Sequence, residues 1–169
     1  MKHSINQKKK GNRNELECAK LFNKRFGAGF ARVPSSGAWS GGLNRMHRSD
    51  MSMEQKLTLV SDIMTPPDFR FTIEHKAYKS IKFWDLFSQK SYLNAWVDQV
   101  TSDADFVNRL PMIIMKFNNK PRIAMVNIEP ENWGFCWKDV HGVKWYCHWL
   151  SEFFTFDDNW WYEVKDSDA

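Results

Sequence analysis

The amino-acid sequence predicts a mixed α/β domain with a central sheet. Three observations carry that reading. Residues 12–26, NRNELECAKLFNKRF, contain no proline or glycine and place apolar side chains at helical spacing. Two strand-like runs flank Thr65-Pro66-Pro67-Asp68, which is turn chemistry, so a hairpin is expected there. A helix-like stretch at 83–100 is then followed by two further strand-like runs around Asn118-Asn119-Lys120-Pro121. The resulting order is helix, strand, hairpin, helix, strand, strand.

Taken in order, residues 1–11 are polar and basic and are expected to form a flexible amino-terminal arm, with 12–169 as a single domain. A chain of 169 residues can bury a core without disulfide or metal staples. The first helix stops at Gly27 and Gly29. Phe30–Val33 reads as a short strand, 34–42 (PSSGAWSGG) as a loop of small residues, and 43–56 as irregular. Leu57–Met64 and Phe69–Ala77 are the two hairpin arms. The second helix carries Phe83, Leu86, Phe87, Leu93, Trp96, Val97 and Val100 as its apolar positions. Met112–Phe117 and Arg122–Ile128 are the remaining strands. From Pro130 onward the chain is dense in tryptophan and phenylalanine, whose main role is expected to be packing.

Charge and cysteine usage narrow the setting. The formal net charge of +4 permits a polyanionic partner without requiring one. Its distribution says more. The first 32 residues hold Lys2, Lys8, Lys9, Lys10, Arg13, Lys20, Lys24, Arg25 and Arg32 against Glu15 and Glu17, and the chain ends in an acidic stretch from Asp157. Basic arms grip phosphates, although many are simply solvated. Cys18, Cys136 and Cys147 form no CxxC pair and no zinc pattern with the histidines, so reduced thiols and a cytoplasmic location are expected. Met1–Gly11 lacks the apolar stretch of a signal peptide, and no apolar run approaches the roughly 20 residues of a membrane span.

The chemistry is read from the second hairpin strand, FRFTIEHKA. Side chains alternate faces along a strand, so Phe69, Phe71, Ile73 and His75 share one side and Arg70, Thr72, Glu74 and Lys76 the other. A turn at 65–68 brings Asp62 of the first arm toward Glu74. Two carboxylates and a lysine at one spot suit phosphodiester hydrolysis. Magnesium takes oxygen ligands and keeps several waters, so Asp62, Glu74 and the backbone carbonyl of His75 are candidate ligands. Lys76 is a candidate for stabilising transition-state charge. Glu-x-Lys alone is common on exposed strands and carries little weight by itself. Glu15 adds to it: on a helical wheel it shares a face with Ala19, Phe22 and Phe26, where a carboxylate sits at the rim or points into a polar or metal site. Glu17 falls on the exposed side. Asp68 competes with Asp62 but lies in the turn, six residues before Glu74. Lys79 and Lys82 follow the strand and suit flanking phosphates. Trp39 is a candidate for stacking on an unpaired base.

These residues resemble the PD-(D/E)xK nuclease superfamily, and within it the archaeal-type Holliday-junction resolvases and their phage relatives. The resemblance lies in KKGNRNELECAKLF, FARVPSSG, SDIM and IEHK, in that order, over about residues 9–77. It implies a restriction-endonuclease-like αβββαβ core, a central mixed sheet flanked by helices, with the site at one sheet edge. It further implies Glu15 as the helix carboxylate near the metal, Asp62 and Glu74 as metal ligands and Lys76 as the catalytic lysine. Arg32 would contact a phosphate, Ser35 and Ser36 would lie in a DNA-approaching loop, and Gln99 would touch the site from the following helix. The implied cofactor is Mg2+, with Mn2+ substituting. The implied partner is DNA, branched by this resemblance, acted on by a possible homodimer. The sequence departs from the pattern at Leu16, at Ser61 before the aspartate, and in the length of segment 37–61. A restriction- or repair-type endonuclease on duplex DNA, and an inactive DNA-binding protein of the same fold, stay open as alternatives.

Overall fold

Helix α1 (Lys2–Phe26) opens the chain in the computed structural model, which describes residues 2–34, 51–88, 91–130 and 135–163. After it come β1 (Ala31–Arg32), α2 (Met53–Val60), β2 (Ile63–Met64) and β3 (Phe71–Tyr78). A five-residue 3-10 helix (Phe83–Phe87), α3 (Tyr92–Phe106), β4 (Leu110–Phe117) and β5 (Arg122–Val126) follow. The chain closes with β6 (Cys136–Lys138), β7 (Lys144–Trp149), α4 (Leu150–Phe153) and α5 (Asp158–Trp161). Among the described residues the strands form one seven-stranded mixed sheet in the order β1-β2-β3-β4-β5-β7-β6. β3 and β4 pair in parallel and every other neighbouring pair is antiparallel. The parallel pair requires a crossover, which α3 supplies. The order α1-β1-β2-β3-α3-β4 is compatible with the restriction-endonuclease-like αβββαβ core.

The sheet is covered on both faces. Ile73, Met112, Ile114, Ala124, Val126 and Tyr146 look toward α1, α4 and α5, where they meet Cys18, Phe22, Leu150, Phe153 and Trp161. The aromatic rings of this core interlock edge to face: Phe22 lies 5.1 Å from Phe154 at 88°, and Phe30 lies 5.0 Å from Phe69 at 88°. On the other face Ile113, Met115, Phe117, Met125 and Trp145 pack against Leu93, Trp96, Val97 and Val100 of α3. Double coverage explains why β4 reads LPMIIMKF, an almost unbroken apolar run rather than an alternation.

Several elements differ from the expected ones. Leu57–Val60, expected as hairpin strand, is helical. Ser52 accepts from the Gln55 N–H while the Gln55 side chain accepts from the Ser52 N–H, a capping box that starts α2. Leu57 and Val60 then bury against Val107. The first hairpin arm shrinks to Ile63–Met64. The expected helix at 83–100 is divided: Ser91 accepts from the Asn94 N–H and begins α3 afresh, six residues longer at its far end. Helix α1 begins ten residues before its expected start, so Lys8, Lys9 and Lys10 lie exposed on it. Other strand bounds move slightly: β1 keeps only Ala31–Arg32 of the expected Phe30–Val33, β3 runs Phe71–Tyr78 while Phe69 makes an isolated bridge to Tyr162, β4 starts at Leu110, and β5 ends at Val126.

The tryptophan-rich part has order of its own. The Asp139 carboxylate accepts from the backbone N–H groups of His141 and Val143 and from the Trp145 indole, 2.9, 2.9 and 3.0 Å away, which closes the β6–β7 turn. Arg25 of α1 donates to the carbonyls of Phe154 and Phe156 and to Asp158, tying α4 and α5 to the first helix. The three cysteines are free thiols.

Candidate active site

The site lies where β2 leaves β3. Ile63 pairs with Ile73, and the Asp62 N–H donates to the Ile73 carbonyl at 3.2 Å. One step further along β3 the ladder is continued by a side chain: the His75 N–H donates to Asp62 Oδ2 at 2.9 Å. The carboxylate of Asp62 therefore rests against the Glu74–His75 peptide. In an extended strand the N–H and C=O of one residue point to the same edge, so the His75 carbonyl faces the Asp62 side as well.

Glu74 and Lys76 point from β3 toward α3, as their alternation predicts. Glu74 is 4% exposed, which makes it a nearly fully buried carboxylate. Lys76 Nζ stands 2.5 Å from Glu74 Oε1 and 2.9 Å from Gln99 Oε1, and Gln99 Nε2 donates to Glu74 Oε1 at 3.0 Å. The three side chains form a closed triangle, with Gln99 held by α3. Despite the lysine, Glu74 is pushed up to about 8: burial is the largest cause, the Asp62 charge adds to it, and Lys76 opposes both. Loss of solvation outweighs one close cation.

Glu15 reaches the same region from α1. Arg32 Nε donates to its Oε2 at 2.7 Å, and Arg32 Nη2 donates to Asn12 Oδ1 at 2.8 Å. Its carboxyl is raised by burial, against the Arg32 hydrogen bond, and it feels the charges of Asp62 and Lys76. Glu15 thus joins the cluster electrostatically, while Arg32 is engaged by α1. Glu17 points elsewhere, pairing with Arg13 at 2.9 Å and Arg122 at 3.3 Å. Lys79 is exposed just past the end of β3, and Ser35, Ser36 and Trp39 lie outside the described residues.

The His75 ring is buried on the α1 side, and neither nitrogen has a hydrogen-bond partner among the described residues. Burial drives it down to about 3, helped by the positive charges of Arg122 and Lys76, so the ring is neutral at ordinary pH. Two contributors were not read from the sequence. Asn12 precedes Glu15 by three residues on α1, and Asp103, whose charge reaches Glu74, follows Gln99 by four on α3. Both spacings keep side chains on one helix face, so the signal was available once Glu15 and Gln99 had been chosen.

A divalent cation can be tested against this donor set. Among the described residues no group of three or more His, Cys, Asp and Glu side chains is placed to hold one ion. Asp62, Glu74 and the His75 carbonyl nevertheless supply hard oxygen donors at one edge, and a small cation that keeps several waters needs few protein ligands. A buried carboxylate whose charge is disfavoured beside a second carboxylate is an environment that a cation relieves. The residues fit such an ion.

A mixed sheet with an aspartate at the end of one strand and Glu-x-Lys on the next defines a protein of the PD-(D/E)xK class. The family model described as "Phage putative PDDEXK endonuclease" matches residues 6–146, well over half of the chain, and the chain belongs to that family. Comparisons with curated proteins and with solved structures returned no match. No helix among the described residues is long and apolar enough to cross a membrane.

Proposed function

We propose that the chain is a magnesium-dependent endonuclease that hydrolyses DNA phosphodiesters, with branched DNA as its preferred substrate. One observation carries the chemistry: Asp62, Glu74, Lys76 and Gln99 converge at the β2–β3 edge, with Glu74 buried and in contact with both Lys76 and Gln99. Asp62, Glu74 and the His75 carbonyl would hold Mg2+, with Mn2+ able to substitute and Glu15 as the helix carboxylate whose charge acts on the same cluster. The bound ion would polarise the scissile phosphate and lower the pKa of a coordinated water. Lys76 orients the attacking water and offsets the extra negative charge of the transition state. Gln99 fixes the Lys76 ammonium through its carbonyl oxygen, and Glu74 fixes it from the other side. Arg32 holds Glu15 in place, and Lys79 contacts a flanking phosphate.

The preference for branched DNA rests on the resemblance to Holliday-junction resolvases, and a two-fold homodimer is the assembly that a symmetric junction favours. A cleavage panel of linear duplex, flap and four-way DNA, run with Mg2+ and with EDTA, tests the whole reading. Cutting is expected only with the cation and fastest on the four-way substrate. Lys76→Ala and Glu74→Ala are each expected to lower the rate at least about 100-fold, the scale of losing a group that stabilises the transition state. Equal or faster cutting of linear duplex would replace the branched substrate with a restriction- or repair-type one. Binding without cutting of any substrate would leave an inactive DNA-binding protein of this fold.

A further inference from the structure

The four most exposed large apolar side chains among the described residues stand together just beyond the candidate active site. Phe83, Trp84, Phe87 and Tyr92 are 64, 75, 72 and 70% exposed. Contiguous apolar surface of this kind marks an interaction site more often than chance placement does. It is displayed on a fixed support. The Trp137 indole donates to the Leu86 carbonyl at 2.7 Å, the Asp85 carboxylate accepts from the Lys82 N–H at 3.1 Å, and Ile81 and Leu86 pack into the α3-side core. Three of the rings contact one another, Phe83 lying 5.5 Å from Trp84 and 5.4 Å from Phe87, while Tyr92 stands at the start of α3 beside Tyr78.

The patch continues the row of side chains that forms the site. Glu74, Lys76 and Tyr78 occupy successive positions on one face of β3, about 6.6 Å apart for each pair of residues. The Tyr78 ring lies 4.7 Å from Trp96 and 6.2 Å from Tyr92. Trp96 precedes Gln99 by three residues on α3, so the same helix supports the lysine and the first aromatic step. The charge is one-sided. Residues 76–92 contain Lys76, Lys79, Lys82 and Lys90 against Asp85, whose carboxylate is occupied at the Lys82 N–H. Lysines interleaved with exposed aromatic rings match a nucleic-acid strand whose bases are free to stack, because every base has a π-face while duplex bases are already stacked on each other.

We propose that this surface binds an unpaired DNA strand, with bases stacked on Phe83, Trp84, Phe87 and Tyr92 and phosphates on Lys79 and Lys82, and that it leads the strand backbone to Lys76. The inference rests on the endonuclease reading for what becomes of the bound strand, and it narrows the substrate to DNA with a single-stranded segment beside the cut. The binding itself is independent of the chemistry.

The test is fluorescence anisotropy of a labelled oligothymidylate and of a labelled duplex, titrated with the full chain in EDTA so that nothing is cut. Wild type is compared with Trp84→Ala/Phe87→Ala and with Trp84→Phe/Phe87→Tyr, all at exposed positions. The single strand is expected to bind more tightly than the duplex. The alanine pair is expected to lose about tenfold or more in single-strand affinity, with duplex affinity held within about twofold, and the aromatic pair to restore the wild-type value. Unchanged single-strand affinity in the alanine pair, or an equal loss for both DNAs, overturns the proposal. So does sedimentation in which the alanine pair converts a dimer to a monomer without altering DNA affinity, because a second copy of the chain would then be the occupant. Glu74 and Lys76 are intact in every variant. A wild type that binds single strands through this surface but never cuts would therefore sink the nuclease reading alone.

Discussion

At the scale of single residues, the site is organised by the cost of burying Glu74. Its carboxyl keeps a proton up to about 8, far above the ordinary 4.5, because burial and the Asp62 charge disfavour ionisation more than Lys76 favours it. The consequence for stability has a definite sign. The folded chain holds a proton that the unfolded chain releases, so the contribution is fully present below pH 4.5 and is lost as pH rises through about 8. The slope over that window is about 1.4 kcal/mol per pH unit for one proton. Without divalent cations, Glu74→Gln is expected to lack this slope and to be more stable than wild type at pH 8.5, while inactive. Urea midpoints at pH 5 and pH 8.5 in EDTA check it, and parallel behaviour of the two proteins would count against it. Added Mg2+ is expected to raise the wild-type midpoint at pH 8.5 and leave that of Glu74→Gln nearly unchanged, because binding to the native state alone is stabilising.

At the scale of elements, the site depends on how short β1 and β2 are placed against β3. Each has two residues, so neither has much of a ladder of its own. Their position is set by turns. Gly29 has φ +116°, a conformation that side-chain-bearing residues rarely adopt, and a Cβ there would stand 2.9 Å from Pro66 Cγ. Arg109 holds the Pro66 turn from the other side, donating to the Thr65 hydroxyl and to the carbonyls of Pro66 and Pro67. Gly29→Ala combines a strained backbone with a steric clash and is expected to destabilise the fold by about 2 kcal/mol, the usual size of such defects. Urea denaturation would measure it. A loss below about 0.5 kcal/mol would mean that the β1 and β2–β3 turns are not locked together.

At the scale of the whole molecule, the part that carries the candidate site and the aromatic carboxyl-terminal part share one core. The family match ends at residue 146, yet Leu150, Phe153 and Trp161 lie in the core under β3, β4 and β5. Arg70 shows the same closure, its backbone N–H bonded to the Trp161 carbonyl and its guanidinium to the Trp160 carbonyl. Phe153 is completely buried in the core on the α1 side of the sheet. Phe153→Ala is expected to cost about 3–5 kcal/mol and to lower activity in proportion to unfolding, not by a change at the site. Thermal melts and cleavage rates measured on the same samples would separate those two effects. A stable variant with lost activity would place Phe153 in a different role.

Local sequence pattern by itself was enough for the mixed α/β class, the first helix from its later residues on, the turn at 65–68, the central strands β3 to β5, and the side of β3 that Glu74 and Lys76 share. These follow from periodicity and turn chemistry, which act over a few residues. It misjudged Leu57–Val60, whose apolar run suits a strand or a helix equally until the Ser52–Gln55 box and the burial against Val107 decide. Only the tertiary structure decided that Gln99 closes on Glu74 and Lys76, that Arg32 turns to Glu15, and that the tryptophan-rich end completes the core. Each of those outcomes pairs residues 17 or more positions apart, and which pairs meet depends on how the sheet and helices pack, a matter on which the spacing of residues along one strand or helix carries no information.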